Sequence, residues 1–234
     1  TLVYTLSLHD ALPISCGHFP QSFEYSTAGG WVAARGAGQA STGYGKIEDM
    51  VVALRVQTPA GEVATKDYPR MAQGWNLNEL FTGSEGALGV ITEISLKIHP
   101  YLPANTRMGA YLFKDFESGT RAMQAMIQGA FGKPHLFRIS DPEETEIAFK
   151  TKGFDDNMAD KTLHRLGYKT GSRCLMFLTA EGDADYTRLV KRKAARIARK
   201  YGALPLGKGP VKKWLKQRFE SAYLRDPLMD AGLI

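Results

Sequence analysis

Met50 to Gln57 (MVVALRVQ) alternates weakly between apolar and polar side chains. The Thr58-Pro59-Ala60-Gly61 turn after it predicts a hairpin whose returning strand is Glu62 to Thr65. Leu77 to Phe81 reads as a short helix, and Gly83 to Gly89 (GSEGALG) turns the chain into a strand from Val90 to Ile98. Pro100 and Pro103 mark a boundary. Beyond it the pattern predicts strand Met108 to Phe113, helix Asp115 to Ala130, strand His135 to Ile139, a helix starting near Pro142, and strand Leu175 to Thr179. From Asp183 an acidic start, apolar Tyr186, Leu189, Val190, Ile197 and Tyr201, and cations toward the C-terminal end predict a long amphipathic helix. Trp214 to Ile234 reads as a helix and its loop. The expected fold is α+β, with a second α/β sandwich after the prolines.

Composition adds little until charge is located. The chain has 234 residues, 44% hydrophobic and 23% charged, ordinary for a globular protein of one large or two small domains. No run approaches the roughly 18 apolar residues of a spanning helix. The net charge of +6 is local, because Arg188 to Arg218 holds twelve Lys and Arg and no acid, leaving the rest net acidic. Such a run reads first as the solvated face of a helix, and second as a surface for nucleic acid or an anionic membrane. Cys16 and Cys174 are too few for a disulfide framework, and a reducing compartment follows. His9, His18, His99, His135 and His164 are scattered, so no metal is expected.

Glycine carries the chemistry. Thr27-Ala28-Gly29-Gly30-Trp31, Arg35-Gly36-Ala37-Gly38 and Gly43-Tyr44-Gly45 place backbone amides where no Cβ blocks a ligand, as chains do when they approach phosphates and flat rings. The commoner phosphate loops do not fit. Gly36, Gly38 and Ser41 miss GxGxxG at its last position, and Gly45-Lys46-Ile47 lacks the first Gly and the Ser/Thr of a Walker loop. For any single glycine pair a tight turn is the plainer reading; the ordered series is the signal.

That series resembles one family. Pro20-Gln21-Ser22-Phe23-Glu24-Tyr25-Ser26-Thr27-Ala28-Gly29-Gly30-Trp31, then Tyr44-Gly45-Lys46-Ile47-Glu48-Asp49, Thr58-Pro59-Ala60-Gly61 and Gly83-Ser84-Glu85-Gly86-Ala87-Leu88-Gly89-Val90-Ile91-Thr92-Glu93, is similar to the PCMH-type FAD domain of the vanillyl-alcohol oxidase superfamily. Within it the chain most resembles the alkyldihydroxyacetonephosphate synthases (alkylglycerone-phosphate synthases) and their bacterial relatives. The likeness is strong from Gly17 to about Ile98. It continues more weakly through Phe137-Arg138-Ile139-Ser140-Asp141 to Ala222-Tyr223-Leu224-Arg225-Asp226.

The resemblance implies FAD as cofactor. It implies cofactor contacts at Gln21, Ser22, Ser26, Thr27, Gly29 and Gly30, beside them Ala34, Arg35, Gly36 and Ala37, and at the adenosine end Glu85, Gly86, Ala87, Leu88, Gly89, Val90 and Ile91. Where Gln21 stands the family usually has an acid, so a hydrogen bond is kept there and a charge lost. Arg138 matches an arginine near the family's active site and is the expected substrate residue, its planar fork suited to phosphate or carboxylate. The plainer alternative is an ion pair with Asp141 or Glu143. Tyr25, Trp31 and Tyr44 border the flavin ring or sit in a core.

Residues 1–15 resemble translated sequencing adapter and read as an artefactual leader, with a native strand or a cleaved signal as the alternatives. The family resemblance divides the rest into a partial FAD domain at 16–100 and a truncated ferredoxin-like cap at 101–234. No catalytic residue is expected within it, and the piece alone is expected to be inactive. The implied chemistry is exchange of the acyl group of acyl-dihydroxyacetone phosphate for a fatty alcohol through flavin N5, in ether lipid biosynthesis. The alternatives are an FAD-dependent dehydrogenase or oxidase of a D-2-hydroxy acid or alcohol, and a non-enzymatic basic binding module. Expected partners are a small or lipid-like substrate, a second copy of the chain, and a membrane touched peripherally, without nucleic acid. The expected place is the cytoplasm of a bacterial-type cell.

Overall fold

The computed structural model describes residues 13–68, 71–154, 157–220, 223 and 225–232, with the backbone alone at 225 and 226. Residues 1–12, including His9, lie outside it, as do Ala222 and Leu224 of the Ala222 to Asp226 segment. The chain groups into two compact units, one running to Tyr101 and resuming at Gln217, the other Leu102–Lys216.

The first unit holds β1 (Ile14–Ser15), α1 (Ala28–Ala33), α2 (Ser41–Tyr44), α3 (Ile47–Met50), β2 (Val51–Thr58), β3 (Gly61–Ala64), α4 (Leu77–Phe81), β4 (Val90–Leu96) and β5 (His99–Pro100). β2 is central in an antiparallel sheet of order β3-β2-β4. The expected hairpin closes on Pro59-Ala60, with Thr58 opposite Gly61. One face of the sheet is buried because Leu54 and Val56 of β2 meet Val32, Ile47, Met50 and Phe81 from the short helices. Asn76 caps α4 by accepting from the Asn78 amide at 3.1 Å.

Pro13–Ser15, expected to be part of a foreign leader, belong to this fold. β1 pairs antiparallel with β5, and the Pro13 carbonyl accepts from the Tyr101 amide at 2.7 Å. The end of the chain also differs from expectation, since residues from Gln217 group with the first unit rather than with the cap. Aromatic contacts account for this: Phe219 stacks on Phe23 at 5.5 Å, and Tyr223 tilts against Tyr25 at 4.6 Å.

The second unit holds β6 (Arg107–Phe113), α5 (Phe116–Ile127), β7 (Leu136–Ile139), α6 (Pro142–Thr151), α7 (Met158–Arg165), β8 (Cys174–Ala180), α8 (Ala184–Lys200), β9 (Leu204–Gly207) and α9 (Gly209–Gln217). A last helix, α10 (Arg225–Asp230), follows in the returning segment. The antiparallel sheet order is β7-β8-β6-β9. With α5 and α8 as crossovers this is the split βαβ arrangement of a ferredoxin-like domain. Strand periodicity sorts the core: Tyr111, Phe113, Met176 and Leu178 face α5 and α8, while Ala110, Leu112, Leu175 and Phe177 face the other side with Leu136 and Val211. Both faces are covered, so all seven residues of β8 are buried.

Candidate functional site

The glycine-bearing turns are shaped by local hydrogen bonds. Pro20 to Ser26 coils tightly, with the Phe23 amide donating to Pro20 O at 3.1 Å and the Ser26 amide to Ser22 O at 2.9 Å. The Ser26 hydroxyl donates to Ser22 O at 2.6 Å and accepts from Trp31 Nε1 at the same distance, tying the turn to α1. Thr27 caps α1, its Oγ1 accepting from the Gly30 amide at 3.1 Å. This cap lets a helix with two adjacent glycines form.

The second turn is fastened to the end of the same helix. The Gly83 amide donates to Val32 O at 2.9 Å and the Glu85 amide to Ala33 O at 3.0 Å. Arg35 donates to Thr82 O at 2.8 Å and pairs with Glu79 at 3.5 Å. Arg35 and Glu85 both take φ of +50°, a left-handed conformation unusual for side-chain-bearing residues. At Gly89, φ is +150° and a Cβ would meet Gln57 O at 2.6 Å, so only glycine admits this approach to β2. Next to Gly29, Ile91 O would lie 3.8 Å from an added Cβ.

The fold therefore brings together residues that the sequence separates by about fifty positions. Gln21, Ser22, Thr27, Gly30, Ala34, Arg35 and Ala37 from the first segment are exposed, as are Glu85, Gly86, Ala87, Leu88 and Val90 from the second. Ser26, Gly29, Gly36, Gly89 and Ile91 are half-buried between them. A separate cavity of about 380 Å³, lined by polar groups including Glu48, Thr65, Lys66, Asn78 and Lys97, contains none of these residues.

His18 was not singled out as a site residue by its sequence, although the fold seals it under this region. It is fully buried, its ring 4.9 Å from that of Trp31, and neither ring nitrogen has a partner. Burial holds its pKa below the ordinary histidine value, so the ring is neutral. Nothing in the Gly17-His18-Phe19 string signals this, because the closure comes from Trp31, Gly36 and Gly38.

Arg138 lies on β7 in the second unit. Its guanidinium pairs with Glu144 and sits 5.5 Å from the Trp214 ring centre. The partner is neither Asp141 nor Glu143. Asp141 is engaged as the cap of α6, its Oδ1 accepting from the Glu144 amide at 2.7 Å, which leaves the Glu144 carboxylate to answer the arginine.

Comparison with known proteins fits this geometry. Residues 8–66 match the FAD binding domain family. The alkyldihydroxyacetonephosphate synthase of Dictyostelium discoideum is 36% identical over 94% of this chain and 37% of its own length. An uncharacterized FAD-linked oxidoreductase of Escherichia coli K12 is 33% identical over 79% of this chain and 35% of its own length. A solved alkyldihydroxyacetonephosphate synthase superimposes with a TM-score of 0.79 at 35% identity, covering 93% of this chain and 40% of that one. The chain thus spans well under half the length of these relatives.

The residues present fit FAD, the cofactor of this family. Among the described residues the amides of Gly86 and Leu88 donate to no acceptor, and the two turns are uncharged apart from Glu24, Arg35 and Glu85. Free amides of this kind suit a diphosphate whose charge is met by dipoles rather than by lysines. The glycine-bearing turns and the match over residues 8–66 together mark an FAD binding domain in the chain, which is similar along most of its length to the alkyldihydroxyacetonephosphate synthases.

Proposed function

We propose that the protein carrying this chain is a flavoenzyme that exchanges the acyl group of an acyl-dihydroxyacetone phosphate for a long-chain alcohol. The observation supporting this reading is that the similarity runs past the cofactor turns and through the four-stranded unit, where a substrate domain is expected. When bound, FAD supplies a nucleophilic ring nitrogen. One carbon–oxygen bond to the fatty acid breaks and one to the alcohol forms, so electrons balance without an external acceptor.

In this reading Gln21 to Gly30 and Glu85 to Ile91 hold the cofactor through hydroxyls and amides, and Ala34 to Ala37 keep the two segments in register. Arg138 anchors the substrate phosphate. Its half-exposed guanidinium lies 5.5 Å from the Trp214 ring centre, and the phosphate takes over the fork now given to Glu144. A dehydrogenase of a D-2-hydroxy acid is the second reading, favoured by the oxidoreductase relative; there Arg138 takes the carboxylate.

The test uses protein expressed from the complete open reading frame. Gly30→Val and Gly86→Val should each lower the flavin bound per protein. Arg138→Ala should keep the flavin and raise the substrate concentration needed, and Glu144→Gln should lower it. Full flavin occupancy in both glycine variants would place the cofactor elsewhere.

A further inference from the structure

The outer face of α8 carries far more positive charge than its surroundings answer. Seven of its seventeen residues are Lys or Arg, against the single carboxylate of Asp185. Thr187, Val190, Ala194 and Ala198 are buried on the inner face, which leaves the cations on the other. Arg188 takes Asp185, and among the described residues the remaining six enter no ion pair. Neighbouring α5 offers no relief, because its Glu117 is taken by Arg121 at 2.6 Å. Arg188, Arg192, Arg196 and Lys200 follow one another at i, i+4 along a helix about 25 Å long, so like charges stand side by side.

We propose that this face docks on an anionic lipid surface, an inference that rests on no part of the activity assigned above. A partner must present closely spaced negative charge over the length of the helix. A bilayer containing anionic lipid does so, and attracts each nearby Lys or Arg without needing a shaped pocket. A single-stranded nucleic acid would call for stacking rings among the cations. The two tyrosines of this segment turn inward instead: Tyr186 donates to Lys133 O at 2.8 Å, and Tyr201 packs against the core.

The experiment is co-sedimentation of the chain with vesicles of phosphatidylcholine alone, or with about a third phosphatidylserine, at low salt. Binding to the anionic vesicles only is expected, together with its loss at high salt. The triple variant Arg192→Glu/Arg196→Glu/Arg199→Glu should bind at least about tenfold more weakly. The milder Arg→Gln triple should fall in between, with thermal unfolding confirming that both variants fold. Lys208→Glu/Lys212→Glu/Lys216→Glu, on α9 and the loop before it, should bind as the parent does. Equal binding to neutral vesicles, no binding to anionic ones, no effect of the α8 charges, or tighter binding to a single-stranded oligonucleotide would each overturn the proposal.

Discussion

Arg173 donates from Nε and Nη2 to both carboxylate oxygens of Glu146, at 2.8 and 3.1 Å, with its guanidinium wholly buried. Its Nη1 reaches Asp160 at 2.5 Å, and the Phe149 ring lies 4.1 Å from the guanidinium carbon. One side chain thus ties α6 and α7 to the start of β8. Arg173→Met should cost about 3–5 kcal/mol, because two carboxylates stay buried without their cation. Urea unfolding measures the loss. Adding Glu146→Gln and Asp160→Asn to that variant should recover much of it, and no recovery would mean that packing rather than charge dominates.

The two thiols should differ sharply in reactivity. Cys174 is buried on β8, and burial, with Asp141 and Asp115 nearby, pushes its thiol up to about 11. Cys16 is partly exposed. At pH 8 an alkylating reagent should therefore modify Cys16 in the native protein and reach Cys174 only after denaturation. Peptide mapping before and after urea gives the answer, and fast native labelling of Cys174 would contradict its burial.

Stability should fall as pH drops through the ordinary histidine range. Burial lowers the pKa of His18, and burial with Lys97 nearby lowers that of His99. Between about pH 7 and 5 the unfolded chain takes up protons that the folded chain refuses, so acid favours unfolding until the pH passes below the folded-state values. Urea midpoints across this range should decline, and His18→Phe should flatten part of the decline. An unchanged slope in that variant would show that His18 gains its proton without opening the fold.

Local patterns were the legible part of the sequence. The Leu77–Phe81 helix stands where the sequence reading placed it, the hairpin turns on Pro59-Ala60, and β8 differs from the apolar run by one residue at each end. The elements without a local signature were missed. α1 contains two adjacent glycines and depends on the Thr27 cap. α7 has a weak apolar stripe and is held by buried Asp160, while β9 is an edge strand with a proline in it. The ordered glycine motifs singled out both glycine-bearing turns, although nothing local shows that Glu85 bonds to the end of α1. Arg173 was invisible for the same reason, since its two partners stand 13 and 27 residues before it and meet it only through the tertiary fold.

The exchange reaction itself is the most direct test. Protein from the complete open reading frame would be given acyl-dihydroxyacetone phosphate and a long-chain alcohol. In parallel it would be given a panel of D-2-hydroxy acids with an artificial electron acceptor. The account predicts an ether product and one fatty acid released per turnover in the first assay, with the acceptor left oxidised in the second. Acceptor reduction by a hydroxy acid, with no ether formed from the acyl substrate, would contradict it.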